Sequence, residues 1–107
     1  MRFYKYLYIS EKLEKKKAKI LRKLQMNKFQ LAVQLVVLPM GKNNQLEIIN
    51  SQLLLQPSYP RQEMFVVAIV SGYDEAIEFV EKTVSEVYDK TGGADVRSYI
   101  LRKEQED

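Results

Sequence analysis

The sequence predicts an α+β domain arranged as a two-layer sandwich. Three observations predict it. Residues 2–9 and 29–38 alternate in the period-two manner of strands. Residues 13–24 and 77–87 instead carry apolar side chains at helical spacing. The chain has 107 residues, 46% of them apolar, which suits one domain with one real core.

In the first strand, Arg2 to Ile9, residues Phe3, Lys5, Leu7 and Ile9 share one face and Tyr4, Tyr6 and Tyr8 the other. Aromatic and β-branched residues favour this state. Ser10 is placed to cap a helix from about Glu11 to Gln25, with Glu11 and Glu14 at the positive end of its dipole. Leu13, Ile20, Leu21 and Leu24 form its apolar stripe, and Asn27 is its exit. A second strand covers Phe29 to Leu38. Residues 39–44, Pro-Met-Gly-Lys-Asn-Asn, then read as a turn. A third strand is expected over about Gln45 to Leu55, and Pro57 to Pro60 break it.

The fourth strand, Glu63 to Val70, is apolar on both sides, which predicts a central position. Residues Ser71 to Asp74 fit a capping box with Asp in place of Glu. The helix that follows runs to about Lys90 on a stripe of Ile77, Val80, Val84 and Val87. Glu78 with Lys82 and Glu86 with Lys90 are its i,i+4 pairs. Thr91-Gly92-Gly93 ends it. A last strand is expected over Asp95 to Arg102, so residues 1–103 form a single domain and 104–107 a frayed acidic tail.

The order β-α-β-β-(β)-α-β resembles the split β-α-β plan of ferredoxin-like domains, with one extra strand or a long bent hairpin. The resemblance covers most of the chain as an order of elements. It implies two helices on one face of a mostly antiparallel sheet. The opposite face would then be open, and Tyr4, Tyr6, Tyr8, Val36 and Leu38 would form a candidate oligomer interface there. An apolar patch of that size asks for a partner, and a two-fold dimer is the commonest closure.

The chain has no Cys and no His. The first absence excludes thiolate nucleophiles, disulfides and zinc–thiolate sites. The second removes the usual general base and the commonest metal ligand. No nucleophile elbow or Ser-x-x-Lys pattern replaces them, so no enzyme, catalytic residue, cofactor or metal is expected. The opening residues lack the apolar run of a signal peptide, and no stretch approaches the ~20 residues of a membrane span. A cytoplasmic location without membrane contact is expected.

The net charge of +3 is uneven. Residues 1–28 hold ten Lys/Arg against two Glu, and residues 63–107 hold five against eleven Asp/Glu. Lys12, Lys15, Lys16, Lys19, Arg22 and Lys23 form a candidate anion surface. The plainer readings are a solvated helix face, or one screened by Glu75, Glu78, Glu81 and Glu86 on a neighbouring helix. The tyrosines have two readings as well. Exposed aromatics stack bases on the sheets of RNA-recognition domains, but the Gly-aromatic signature of that family's third strand is absent here. Tyr is also enriched at protein interfaces. Gly92-Gly93 follows a helix, whereas phosphate loops precede one.

The function expected is that of a small non-catalytic interaction or regulatory domain, homo-oligomeric and binding a protein partner. One alternative is a nucleic-acid-binding domain using the basic helix 11–25, which is possible but not favoured. Another is a sensor of a small anionic ligand. The two β-α-β units and an interstrand loop at 39–45 or 56–62 resemble trimeric PII-like regulators in that respect.

Overall fold

The computed structural model describes residues 1–26, 33–39, 45–56 and 64–106. Four strands and three helices make an α+β domain: β1 (Arg2–Ile9), α1 (Lys17–Gln25), β2 (Gln34–Leu38), β3 (Glu47–Asn50), β4 (Phe65–Val70), α2 (Tyr73–Thr91) and α3 (Val96–Gln105). Two 3₁₀ segments, Glu11–Lys16 and Ser51–Leu55, precede α1 and follow β3. Residues 29–32 of the expected second strand, the Asn27 exit, most of the 39–44 turn and the Pro57 to Pro60 break lie outside the described residues.

The sheet is mixed, in the order β1-β4-β2-β3. β1 runs parallel to β4, while β2 is antiparallel to both β4 and β3. β4 is central, as its two-sided apolar run predicts, and all six of its residues are buried.

Pairing along β4 is irregular in an informative way. Phe3 pairs with Val66 and Tyr8 with Ala68, so Tyr4 to Leu7 stand opposite Val67 alone. On the other side Val36 and Val37 pair with Ala68 and Val66, again leaving Val67 over. Such a bulge breaks the alternation of side chains. Met64, Val66 and Ile69 accordingly lie in one apolar cluster, while Phe65, Val67, Ala68 and Val70 lie in the other.

These clusters correct the expected layering. Leu13, Ile20 and Leu24 pack in the first, with Leu35, Val37 and Ile69 of the sheet. Ala76 and Val87 of α2 pack in the second with Val96 and Ile100 of α3, against Val36, Leu38 and Val67. The basic and acidic helices therefore sit on opposite faces rather than sharing one. The physical reason is in the strands: β2 and β4 are apolar on both sides, and each side needs a cover.

The last element is also corrected. Residues 96–105 are helical, not a strand. Asp95 caps the turn, its Oδ1 accepting from the Ser98 N–H at 3.1 Å and its Oδ2 from the Ser98 hydroxyl at 2.8 Å. Val96 and Ile100, one helical turn apart, then reach the core. The expected frayed tail is helical through Gln105. The Glu104 carboxylate accepts the Lys5 N–H at 2.7 Å, and the Lys5 ammonium donates to the Glu106 carbonyl.

Smaller departures have local causes. The expected third strand stops at Asn50, whose side chain accepts from the Gln52 N–H and turns the chain into a 3₁₀ segment. The Ser51 hydroxyl meets the Val33 N–H at 3.0 Å, and Leu54 enters the core. At the start of α2 the capping box is replaced: Glu75, not Asp74, takes the Ser71 N–H and hydroxyl. Gly92 ends α2 at φ 74°, a left-handed conformation that glycine adopts without strain.

Candidate functional site

The carboxyl ends of β1 and β4 are neighbours, yet the chain leaves them in opposite directions. β1 feeds the α1 side of the sheet and β4 feeds α2 on the other. Diverging connections of this kind open a crevice at the strand ends. Here Ser10 is buried and its N–H donates to the Ile69 carbonyl at 3.0 Å. Its hydroxyl has no partner at hydrogen-bonding geometry. It lies close enough to Glu75 to help keep that carboxyl ionised.

Glu75 holds its pKa below the usual carboxylate value, chiefly through the two bonds from Ser71 and in smaller part through the positive Lys12. The Tyr8 ring stacks on Phe79 at 5.3 Å. Beside them a groove of about 350 Å³ is lined by Tyr8, Glu11, Glu75, Glu78, Phe79 and Lys82, among others. Carboxylates dominate that lining. Just before α2, the Ser71 N–H is taken by the chain's own Glu75. Among the described residues no group of three or more Asp or Glu side chains is placed to hold a metal ion.

The tyrosine stripe lies on the α2–α3 side of the sheet, with Tyr4 packed against that core and Tyr6 and Tyr8 exposed. Tyr4 is half-buried, edge-on to Phe65 at 5.8 Å and to Tyr6 at 5.6 Å. Tyr6 and Tyr8 keep 48% and 47% of their surfaces. The Lys103 ammonium sits 5.2 Å from the Tyr6 ring and 5.5 Å from that of Tyr99, both within cation–π range. Val36 and Leu38, expected beside the tyrosines on an open face, are 0% and 2% exposed beneath α2 and α3. They are not available to a partner in this arrangement.

Glu86 joins the helices. It accepts from the Tyr99 hydroxyl at 2.7 Å and lies 3.8 Å from the Lys103 ammonium. The expected Glu86–Lys90 pair gives way to this contact across α2 and α3, while Glu78–Lys82 forms at 3.2 Å. The Glu86 bond pushes the Tyr99 hydroxyl up to about 12, and burial does the same for Tyr4.

The residues of the candidate anion surface are placed together. Lys12, Lys15, Lys16, Lys19 and Arg22 are exposed, and Lys23 is half-buried. Lys23 is held below the usual lysine value by desolvation first, then by Lys19 and Arg22. The like charges of Lys19 and Arg22 are the smaller part of that effect. Acidic α2 lies across the sheet, so the expected screening of one helix by the other is confined to Glu75 near Lys12.

Sequence reasoning missed one further surface. The stripe on α2 was expected to face the core, but Val84 is 41% exposed, as are Tyr73 at 59% and Tyr88 at 64%. Phe79 and Thr83, on the other flank of the helix, turn toward β1 and α3. The signal was present in the 73, 77, 84, 88 spacing, which gives α2 an apolar arc wider than one sheet contact needs.

Comparison with known proteins returned no match: no family model, no curated protein and no solved structure is significantly similar to this chain. Among the described residues, no helix is long and apolar enough to cross a membrane.

Proposed function

We propose that this chain is a non-catalytic interaction module that works by docking its charged faces on partner surfaces, among them further copies of itself. One observation carries the reading: the basic face of residues 11–25 and the acidic face of α2 lie on opposite sides of one sheet. Residues 11–25 hold seven Lys/Arg and two Glu, and α2 holds six Asp/Glu and two Lys. Neither set is needed to neutralise the other within the chain. The absence of His and Cys from the sequence supports the non-catalytic part. Light scattering coupled to gel filtration tests it. A mass above the monomer at about 100 µM and low salt is expected, since exposed charge pairs weaken beyond a ~10 Å screening length. A monomer under all conditions would remove the self-association.

A second reading, nucleic-acid binding, is favoured by the fact that α2 does not screen the basic helix. Titration with RNA and with duplex DNA at two salt concentrations separates the two. Six phosphate contacts would give a log–log salt slope near about −5. The module reading expects weak binding without sequence preference. Tight, sequence-selective binding, lost when Lys12, Lys15, Lys16 and Lys19 become Glu, would replace it.

A further inference from the structure

Which copy-to-copy contact do these faces permit? Each of the two carries exposed charge, with exposed apolar side chains in the elements of the same side. On the α1 side, Lys15, Lys16, Lys19 and Arg22 are exposed, and Met26, Leu53 and Leu55 are exposed in the elements of that side. On the other, Glu78, Glu81 and Asp89 point outward from α2 beside Tyr73, Val84 and Tyr88. The signs are opposite and the faces lie back to back across the sheet. A two-fold dimer joins like to like: it would set seven Lys/Arg against seven, or six Asp/Glu against six. Such juxtaposition of like charge suppresses the pairing.

We infer that copies of this chain associate head to tail, the basic α1 face of one seating on the acidic α2 face of the next. The inference rests on the interaction-module reading and makes it specific. Because donor and acceptor faces point in opposite directions, the contact does not close on itself. It propagates as an open series of copies, as heterologous contacts do when the rotation does not close. The patterns are matched in chemistry, with Lys and Arg heads against carboxylates and the apolar margins excluding water between them. The half-buried Glu75 and the Tyr99-bonded Glu86 are held by their own helix contacts. Glu81 and Asp89 are exposed and form no hydrogen bond or ion pair among the described residues, so they supply the docking charge, together with Glu78, whose pair with Lys82 is exposed.

The test uses the full chain and two variants, each reversing one face at exposed positions. The first is Lys15→Glu/Lys19→Glu/Arg22→Glu, and the second is Glu78→Lys/Glu81→Lys/Asp89→Lys. Sedimentation velocity is recorded at about 50 mM and about 500 mM NaCl, on either side of the ~10 Å screening regime. The wild-type chain is expected to give a concentration-dependent series of masses at low salt that collapses to monomer at high salt. Each variant alone is expected to stay monomeric. An equimolar mixture is expected to regain the series, which also demonstrates that both variants are folded. A closed dimer that survives reversal of α1 overturns the head-to-tail contact and leaves the module reading standing. Monomer throughout, the mixture included, overturns both.

Discussion

The two faces of the sheet are covered by different means. On the α1 side the core contacts are aliphatic: Leu13, Ile20 and Leu24 press on Leu35, Val37 and Ile69. The basic side chains above them crowd one another. On the α2–α3 side the cover is also tied by polar bonds at its margins: Ser71 to Glu75, Asp95 to Ser98, Tyr99 to Glu86, and Glu104 to the backbone of β1. Several carboxylates on that side are engaged in these bonds, whereas Lys15, Lys16, Lys19 and Arg22 stand exposed on the other. A surface of exposed like charge is the better candidate for one that meets a partner.

The largest expected effect tests the aliphatic side. Leu24 is 2% exposed at the inner face of α1. Leu24→Ala leaves a cavity and is expected to cost about 2–5 kcal/mol in denaturant-induced unfolding. The loss should be felt most around α1, because Leu24 is one of the two α1 residues buried in the core. A loss below about 1 kcal/mol would mean that the α1 side can collapse onto the gap, against the close packing its burial implies.

The polar side is tested by Glu86→Ala. Removing the shared acceptor of Tyr99 and the partner of Lys103 is expected to cost about 1.5 kcal/mol, the low end for a hydrogen bond to a charged group, because the bond is exposed. A second readout separates this bond from simple packing. Tyr99 is raised to about 12 from an ordinary 10.0, first by the bond to Glu86. Its folded value lies above the unfolded one, so its contribution is complete below pH 10 and fades as the pH rises towards about 12. Ultraviolet titration of the variant should show one tyrosine returning towards 10, while Tyr4, raised mainly by burial, stays high. If no tyrosine moves, the Tyr99–Glu86 bond does not form in solution.

Much of this architecture was legible in the chain, and the exceptions follow one pattern. β1, the two-sided β4 and the ends of α2 could be read because alternation, apolar runs and Gly92 act locally. The layering could not, because the face a helix takes depends on which strands are neighbours, and the parallel pairing of β1 with β4 is not written in either segment. The α3 segment was misread because Val96, Tyr99 and Ile100 suit a strand edge as well as a helix. Only the Asp95–Ser98 cap decides between them. Among the site residues, the basic block was legible as a surface because Lys and Arg rarely bury. Val36 and Leu38 were misplaced because their exposure depended on that same unreadable layering.

A smaller effect concerns the crevice at the ends of β1 and β4. Glu75 ionises more readily than at its ordinary value of 4.5, mainly through the bonds from Ser71. Its folded value is depressed, so its contribution is present above about pH 4.5 and is lost as the pH falls through the folded value. Ser71→Ala removes the hydroxyl bond and keeps the backbone one. Stability should fall by about 0.5–1.5 kcal/mol at neutral pH, and the difference from wild type should shrink in acid. A difference that stays constant down to pH 3 would assign the loss to packing rather than to the carboxylate.

The smallest expected effect on the fold is the one that sharpens the contrast most. Lys19 is exposed on α1 and contributes to the crowding that depresses Lys23. Lys19→Glu removes one repelling neighbour and places an attractive one a helical turn from Lys15 and Lys23. The change in unfolding free energy should therefore stay within about 0.5 kcal/mol, as for most surface substitutions, and favour the variant. If the crowded charge is present for a partner, the same substitution should act in the opposite direction on association, moving the sedimentation profile at low salt towards monomer. Stability and assembly measured on one sample then separate two roles that the sequence superimposes. A lysine face kept only for solubility would show the gain in stability without a loss of assembly. One kept for the fold would show a loss of stability, and one kept for docking a gain in stability with a loss of assembly. The last outcome is the one expected, because α1 enters the core through Ile20 and Leu24, while Lys19 is exposed.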